Sequence, residues 1–321
     1  MFLFSKKHAS ASLLISLLLL SWAMSGCSIK KIAVKKIGDA LAQSGTTFAS
    51  DEDPELIKGA LPFSLKLMES LLAESPKHTG LLFAASSGFT QYGYAFISEE
   101  ADETEPQDFA RATEMRLRAR KLFLRARDYG LRGLETKHPG ISAALRNDPQ
   151  AAIKKTKRTD VPLLYWTAAS WGLAITLSKN EPGLIIDQPI VEALIDRALA
   201  LDETFDQGAI HSFLISYEPA RQGAEGDPYE RARKHFDRAM ELSGGFQAGP
   251  LVALAESVSV AKQDRKEFQS LLNRALAVDV NAKPEFRLAN TVMQRRARRL
   301  LSRIDDLILP ADENQPAADN Q

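Results

Sequence analysis

Beyond the N-terminal region this chain carries four histidines, His78, His138, His211 and His235. No two of them stand at the i, i+4 spacing with which one helix face grips a metal ion. Ser86-Ser87-Gly88 lacks the G-x-S-x-G frame of a nucleophile elbow and falls inside a helical pattern, where small residues serve packing. No phosphate-cradling or dinucleotide-binding glycine motif occurs, and Gly244-Gly245 follows a helical run, where glycine ends helices. These residue types argue against an enzyme and predict neither cofactor nor metal.

Cys27 offers different chemistry. It is the only cysteine among 321 residues, so neither a disulfide nor a thiolate metal site can form. Lys6 and Lys7 precede an apolar run from Ala11 to Met24, short of the about 20 residues a membrane span needs. The run ends in Met24-Ser25-Gly26-Cys27, which resembles a bacterial lipobox. Residues 1–26 are then a lipoprotein signal peptide and Cys27 the lipid-bearing N-terminus; an ordinary signal or an uncleaved anchor is the blander reading. Ser28 leans sorting towards the outer membrane, placing the protein on the periplasmic side of the envelope. Residues 27–50 form a tether, with Ile29, Ile32, Ala33, Ile37 and Leu41 on a stripe ringed by Lys30, Lys31, Lys35 and Lys36. That pattern fits anionic headgroups or docking onto the folded body equally well.

Residues suited to binding are better represented. Phe89, Tyr92, Tyr94 and Phe96 cluster in one helical segment and Tyr165, Trp166 and Trp171 in another, with Gly88, Gly93 and Gly172 beside them. Such rings either fill a close-packed core or line a passage for an apolar ligand. Lys+Arg and Asp+Glu are equal at 41, so no bulk field favours nucleic acid. Between Glu99 and Asp108 there are six acids and no bases; from Arg111 to Arg132 eight bases face two acids. These clusters read as a docking surface with opposite poles or, more simply, as charges neutralising each other across a helix turn.

Helices must position all of these residues. Asp53 is a candidate N-cap ahead of Pro54, and Leu61, Leu65, Met68 and Leu72 keep the helical period, with a kink or restart expected at Pro62. After Pro76 a second helix starts near Thr79 and carries Leu82, Ala85, Phe89, Tyr92 and Phe96. Ala119, Leu122, Phe123 and Ala126 mark a third; Leu164, Ala168, Trp171 and Ile175 mark another, opened by Asp160 and Pro162. No segment keeps a period of two, so no sheet is predicted. The phrases Arg197–Asp202, Arg238–Ser243 and Arg274–Asp279 repeat, their alanines 198, 239 and 275 lying 41 and 36 residues apart. Helix pairs near that period point to degenerate tetratricopeptide (TPR) units, ideally ~34 residues long, stacked into an α-solenoid. Insertions at 135–160 and 180–187 interrupt the period. A capping helix is expected from Pro284 to Ile308, with Met293, Ala297, Leu300, Ile304 and Leu307 inward and Arg295, Arg296, Arg298, Arg299 and Arg303 around the rest. The fold class is therefore all-α, a TPR-like array over 51–309, with a polar tail at 310–321 expected to be disordered.

Several of these segments resemble one family. Asp51–Pro54 with Ala60–Phe63, Ser86–Tyr92 with Tyr94–Phe96, Leu164–Ala169, Ala255–Val258, Arg287–Asn290 and Arg295–Ala297 are similar, in this order, to TatT, the TPR-containing T component associated with TRAP (tripartite ATP-independent periplasmic) transporters. The resemblance covers roughly residues 48–309. It implies a periplasmic lipoprotein that associates with the substrate-binding P component, forms homo-oligomers (trimers by analogy) and carries a passage for a hydrophobic or amphipathic ligand. It brings no catalytic residues; its lipidated cysteine maps to Cys27. The competing reading is a TPR scaffold for envelope assembly without a small-molecule ligand.

Overall fold

The computed structural model describes residues 32–43, 45–178 and 182–309. The leader, Cys27, Ser28, Ile29, Lys30, Lys31 and the tail from Pro310 lie outside them. Among the described residues there are helices and no strands, as the periodicity requires.

Helix α1 (Pro54–Glu74) opens as expected: the Asp53 carboxylate accepts from the Glu55 and Leu56 amides at 2.9 and 3.1 Å, with Pro54 in the first turn. The helix runs unbroken across Pro62, so the expected restart does not occur. One missing amide hydrogen bond does not break a helix whose Ile57, Leu65, Met68 and Leu72 are buried on both sides of it. Helix α2 spans Thr79–Tyr92, passes through a π turn at Gly93–Ser98, and continues over Glu99–Thr104. Its cap is His78, whose Nδ1 accepts from the Leu81 amide at 3.2 Å.

Helix α3 (Phe109–Lys137) buries Ala119, Phe123 and Ala126, and α4 (Val161–Thr176) packs along it. Close approach requires Gly130, where a Cβ would collide with Thr167 and Ser86. The expected capping role of Asp160 takes another form. Its carboxylate accepts from the Lys157 amide at 2.8 Å and pairs with Lys137 and His138 at 2.9 and 2.8 Å, tying the end of α3 to the start of α4. The insertion before it folds into short helices, Ile141–Asn147 and Pro149–Ala152.

Further along come α5 (Gln188–Leu201), α6 (Ala209–Tyr217), α7 (Pro228–Leu242), α8 (Gly249–Leu254), α9 (Arg265–Ala277) and α10 (Arg287–Ser302). A second π turn, Ala255–Ser259, extends α8. The repeated phrases end α5, α7 and α9, and Ala198, Ala239 and Ala275 are buried in the cores. The capping helix is shorter than expected: Pro284–Phe286 is a 3₁₀ turn, and Arg303 separates α10 from a last turn at Ile304–Leu307.

Three hydrophobic cores follow one another along the chain. Leu65, Leu82, Phe89 and Phe123 anchor the first, Leu164, Trp171 and Leu194 the second, and Leu251, Phe268 and Leu272 the third. The array then closes on itself. In α10, Arg295 pairs with Glu55 at 2.9 Å, Arg287 donates to the Ser50 carbonyl at 2.8 Å, and Leu288 packs against the first core.

Candidate functional site

Arg296 marks the closure. From α10 its Nε donates to both Glu256 oxygens at 2.8 and 3.0 Å, and Nη2 adds a third bond at 2.8 Å. Its Nη1 donates to Glu99 and lies 3.4 Å from Asp102, while Arg299, one turn on, donates to Glu99 at 2.9 Å. The side chains of Arg296 and Arg299 are only 15% and 14% exposed. Of the five arginines expected around the rest of this helix, the opposing carboxylates draw these two inward. Burial works against the charge on Arg296, but Glu256, Tyr94 and Glu99 outweigh it and hold the guanidinium charged well above the usual arginine range.

Both π turns deliver residues here, Tyr94 from Gly93–Ser98 and Glu256 from Ala255–Ser259. A π turn adds a residue to the helical ring and re-aims the side chains around it, which explains its frequency at functional sites. At the first one Gly93 lies directly on Phe123, where a Cβ would come within 2.8 Å of the ring.

The seven aromatic residues singled out in the sequence divide in two. Phe89, Tyr92, Phe96 and Trp171 are buried in the helical cores. Phe89 stacks on Tyr129, and Arg127 lies over the Trp171 ring at 4.9 Å. Tyr94, Tyr165 and Trp166 keep part of their surface accessible. Tyr165 meets Trp166 edge-on at 5.0 Å and tilts over Phe205 at 5.4 Å. Burial pushes the Tyr94 hydroxyl up to about 12, with Arg296 opposing. Burial likewise raises Tyr165 above the ordinary tyrosine range, reinforced by Asp206 and Tyr94. Asp206, in a left-handed conformation at φ 45°, has its carboxyl raised by the same desolvation although its surface is exposed. Asp206 and Tyr94 thus act electrostatically on Tyr165, and Tyr94 on Arg296, with Asp206 exposed and the other three partly accessible.

Two arrangements carried no signal in local spacing. His211 of α6 and His235 of α7 face each other with Nδ1 atoms 2.8 Å apart. Burial, then the proximity of His211, pushes His235 down to about 4, so the pair is neutral at neutral pH. No group of three potential metal ligands occurs among the described residues. The acidic cluster is also partnered differently than the simple neutralisation reading expects. Of the basic run, Arg116 takes Asp102 and Glu105 at 2.9 Å, whereas Glu100 pairs with Lys58 of α1 and Glu99 with α10.

A profile of the TRAP transporter T-component family matches residues 50–308. An "Uncharacterized protein" of Treponema pallidum (strain Nichols) is 26% identical over 302 residues, covering 88% of this chain and 94% of that protein. Tyr94, Tyr165, Glu256 and Arg296 each come from a separate segment that carries the sequence resemblance, and the fold brings them to one place. With the match spanning nearly the whole helical array, the chain belongs to the TRAP transporter T-component family.

Proposed function

We propose that this chain is a lipid-anchored periplasmic accessory subunit of a TRAP transporter, homo-oligomeric, that docks the substrate-binding P component and hands it a hydrophobic or amphipathic ligand. The observation that carries the ligand half is the state of Tyr94, Tyr165 and Trp166. Rings that stay partly accessible while their neighbours Phe89, Tyr92, Phe96 and Trp171 are buried are the ones available to a guest, and an aromatic wall suits an apolar one. Arg296 and its carboxylates hold the array shut at the seam between first and last repeats. Because these charges saturate one another, they leave the ring faces to determine what enters. Phe89, Tyr92, Phe96 and Trp171 support the wall from behind.

The family membership carries the docking half, and one purification tests both. The tagged full chain is captured from its own cells under native conditions, and proteins and small molecules in the eluate are identified by mass spectrometry. A TRAP substrate-binding component together with an apolar molecule is expected. Tyr165→Arg should then lose the molecule while still capturing the substrate-binding component. Capture of envelope-assembly factors alone, without small molecule, would replace this reading with that of a scaffold.

A further inference from the structure

We propose that the helical segment at 32–42 is a two-faced adaptor, one side seated on the folded body and the other laid on an anionic bilayer surface; this rests on the lipid anchor in the function proposed above. The inner side is formed by Gly38, Leu41 and Ala42. Gly38 is buried, and a Cβ there would come within 2.9 Å of both His78 and Leu81. Gly80, in the first turn of α2, approaches Ala42, where an added Cβ would lie 3.2 Å from the alanine methyl. Leu41 and Ala42 pack against the first core, and Asp39 lies 3.2 Å from Nε2 of His78. Ile32, Ala33, Lys36, Ile37 and Ala40 fall on the opposite side of the segment, within one arc of about 140° at 3.6 residues per turn. All five are exposed, Ile32 by 57% and Ile37 by 50%.

Apolar side chains flanked by lysine are the composition of a helix that lies in a membrane interface. From Ser28 to Gln43 there are four lysines and one acid, Asp39, and that acid is held by Lys35 and His78. Lys36, on the outer arc, therefore has no acid of the segment left to neutralise it. Lys77, next to His78 in the turn before α2, is exposed as well, and the nearest acid in sequence, Glu74, is already engaged. Chain length is what brings a bilayer to this arc. Cys27 stands five residues before Ile32, so the connection between them spans at most about 18 Å. The segment itself is about 16 Å long. A lipid on Cys27 thus keeps the membrane surface within roughly one segment length of Ile32, while no such constraint brings a second copy of the chain there. Because the inner side is seated on the start of α2, the contact also turns that end of the body towards the membrane.

The test uses the lipidated full chain. Cys27 is the only cysteine, so with its thiol bearing lipid a cysteine introduced elsewhere takes a single environment-sensitive fluorophore. Ile37→Cys probes the outer arc, and Phe109→Cys, at an exposed residue of the body, serves as reference. In vesicles of mixed neutral and anionic phospholipid we expect the label at position 37 to shift to the blue and brighten, with the label at 109 unchanged. Adding Lys36→Glu changes the charge by two units, each worth about fivefold at an anionic surface, so the contact should weaken about 25-fold and the emission return towards its value in water. Raising salt from about 0.1 to about 1 M, which shortens the screening length from ~10 to ~3 Å, should act in the same direction. A label at 37 unmoved by vesicles that carry the protein would overturn the adaptor and leave the anchor standing. A shift that is equal on neutral vesicles and grows with the density of protein on them would also overturn it, since that is how contact between copies behaves. If Cys27 itself takes the fluorophore it bears no lipid, and the anchored reading falls together with this inference.

Discussion

Replacing Arg296 by methionine keeps the length of the side chain and removes its charge. Glu256 would then lose the guanidinium it holds, Glu99 would keep Arg299 and Asp102 would keep Arg116 and Arg299, and the Glu99 side chain is only 9% exposed. Breaking a buried ion pair from one side costs about 3–5 kcal/mol, since the remaining charge stays desolvated without its partner. For a chain of this size each kcal/mol moves the melting temperature by roughly 2–4 °C, so we expect a fall of about 10 °C at neutral pH. The assay is thermal unfolding followed by far-ultraviolet circular dichroism. The reasoning predicts a rescue as well as a loss. Adding Glu99→Gln and Glu256→Gln to the methionine variant removes the orphaned charges and should recover most of the lost temperature, because a network neutralised on both sides loses little. A methionine variant that melts within about 1 °C of the parent, or a triple variant no better than the single one, would refute the clasp as a source of stability.

Two further outcomes follow from burial alone. Trp171 is 2% exposed, so Trp171→Ala should cost ~3–5 kcal/mol through the cavity it leaves; a small loss in a thermal melt, accompanied by loss of bound ligand, would move this ring from the core to the passage wall. His235, pushed down to about 4 by burial and then by His211, binds no proton in the folded state at a pH where the unfolded chain does. Its contribution is thus fully present above about pH 6.5 and declines as pH falls towards 4. A depression of that size corresponds to ~3 kcal/mol, which solvent screening at this partly exposed site reduces to roughly 1–2 kcal/mol. Urea midpoints should fall between neutral pH and pH ~5 more steeply for the parent than for His235→Asn; parallel declines would sink the argument.

Much of the fold is legible in local pattern. A helix records its buried face every three or four residues, so α1, α3 and α4 can be read from Leu65, Phe123 and Leu164 with their neighbours, and the cap at Asp53 from its short-range hydrogen bonds. The small residues at 198, 239 and 275 likewise announce close packing wherever a partner helix stands. The places where that reading stops share one cause. Pro62 threatens a helix locally, but burial on both sides keeps it whole. Asp160 reads as a cap, yet its partners include Lys137 and His138 on the preceding helix.

The charges make the division sharpest. Arg296 and Glu99 are 197 residues apart, and His211 and His235 are 24 apart on different helices. Spacing along one helix cannot report pairs whose separation is set by how many repeats the chain completes before it returns. By itself the amino-acid sequence determined the helices, their inward faces, the repeat and the family. Only the tertiary structure decided which acid meets which base and which rings are sealed in the cores. The reason is that helix formation is governed by neighbours within one turn, whereas closure of the array brings together groups whose attraction depends on distance in space and on exclusion of water, not on position in the chain.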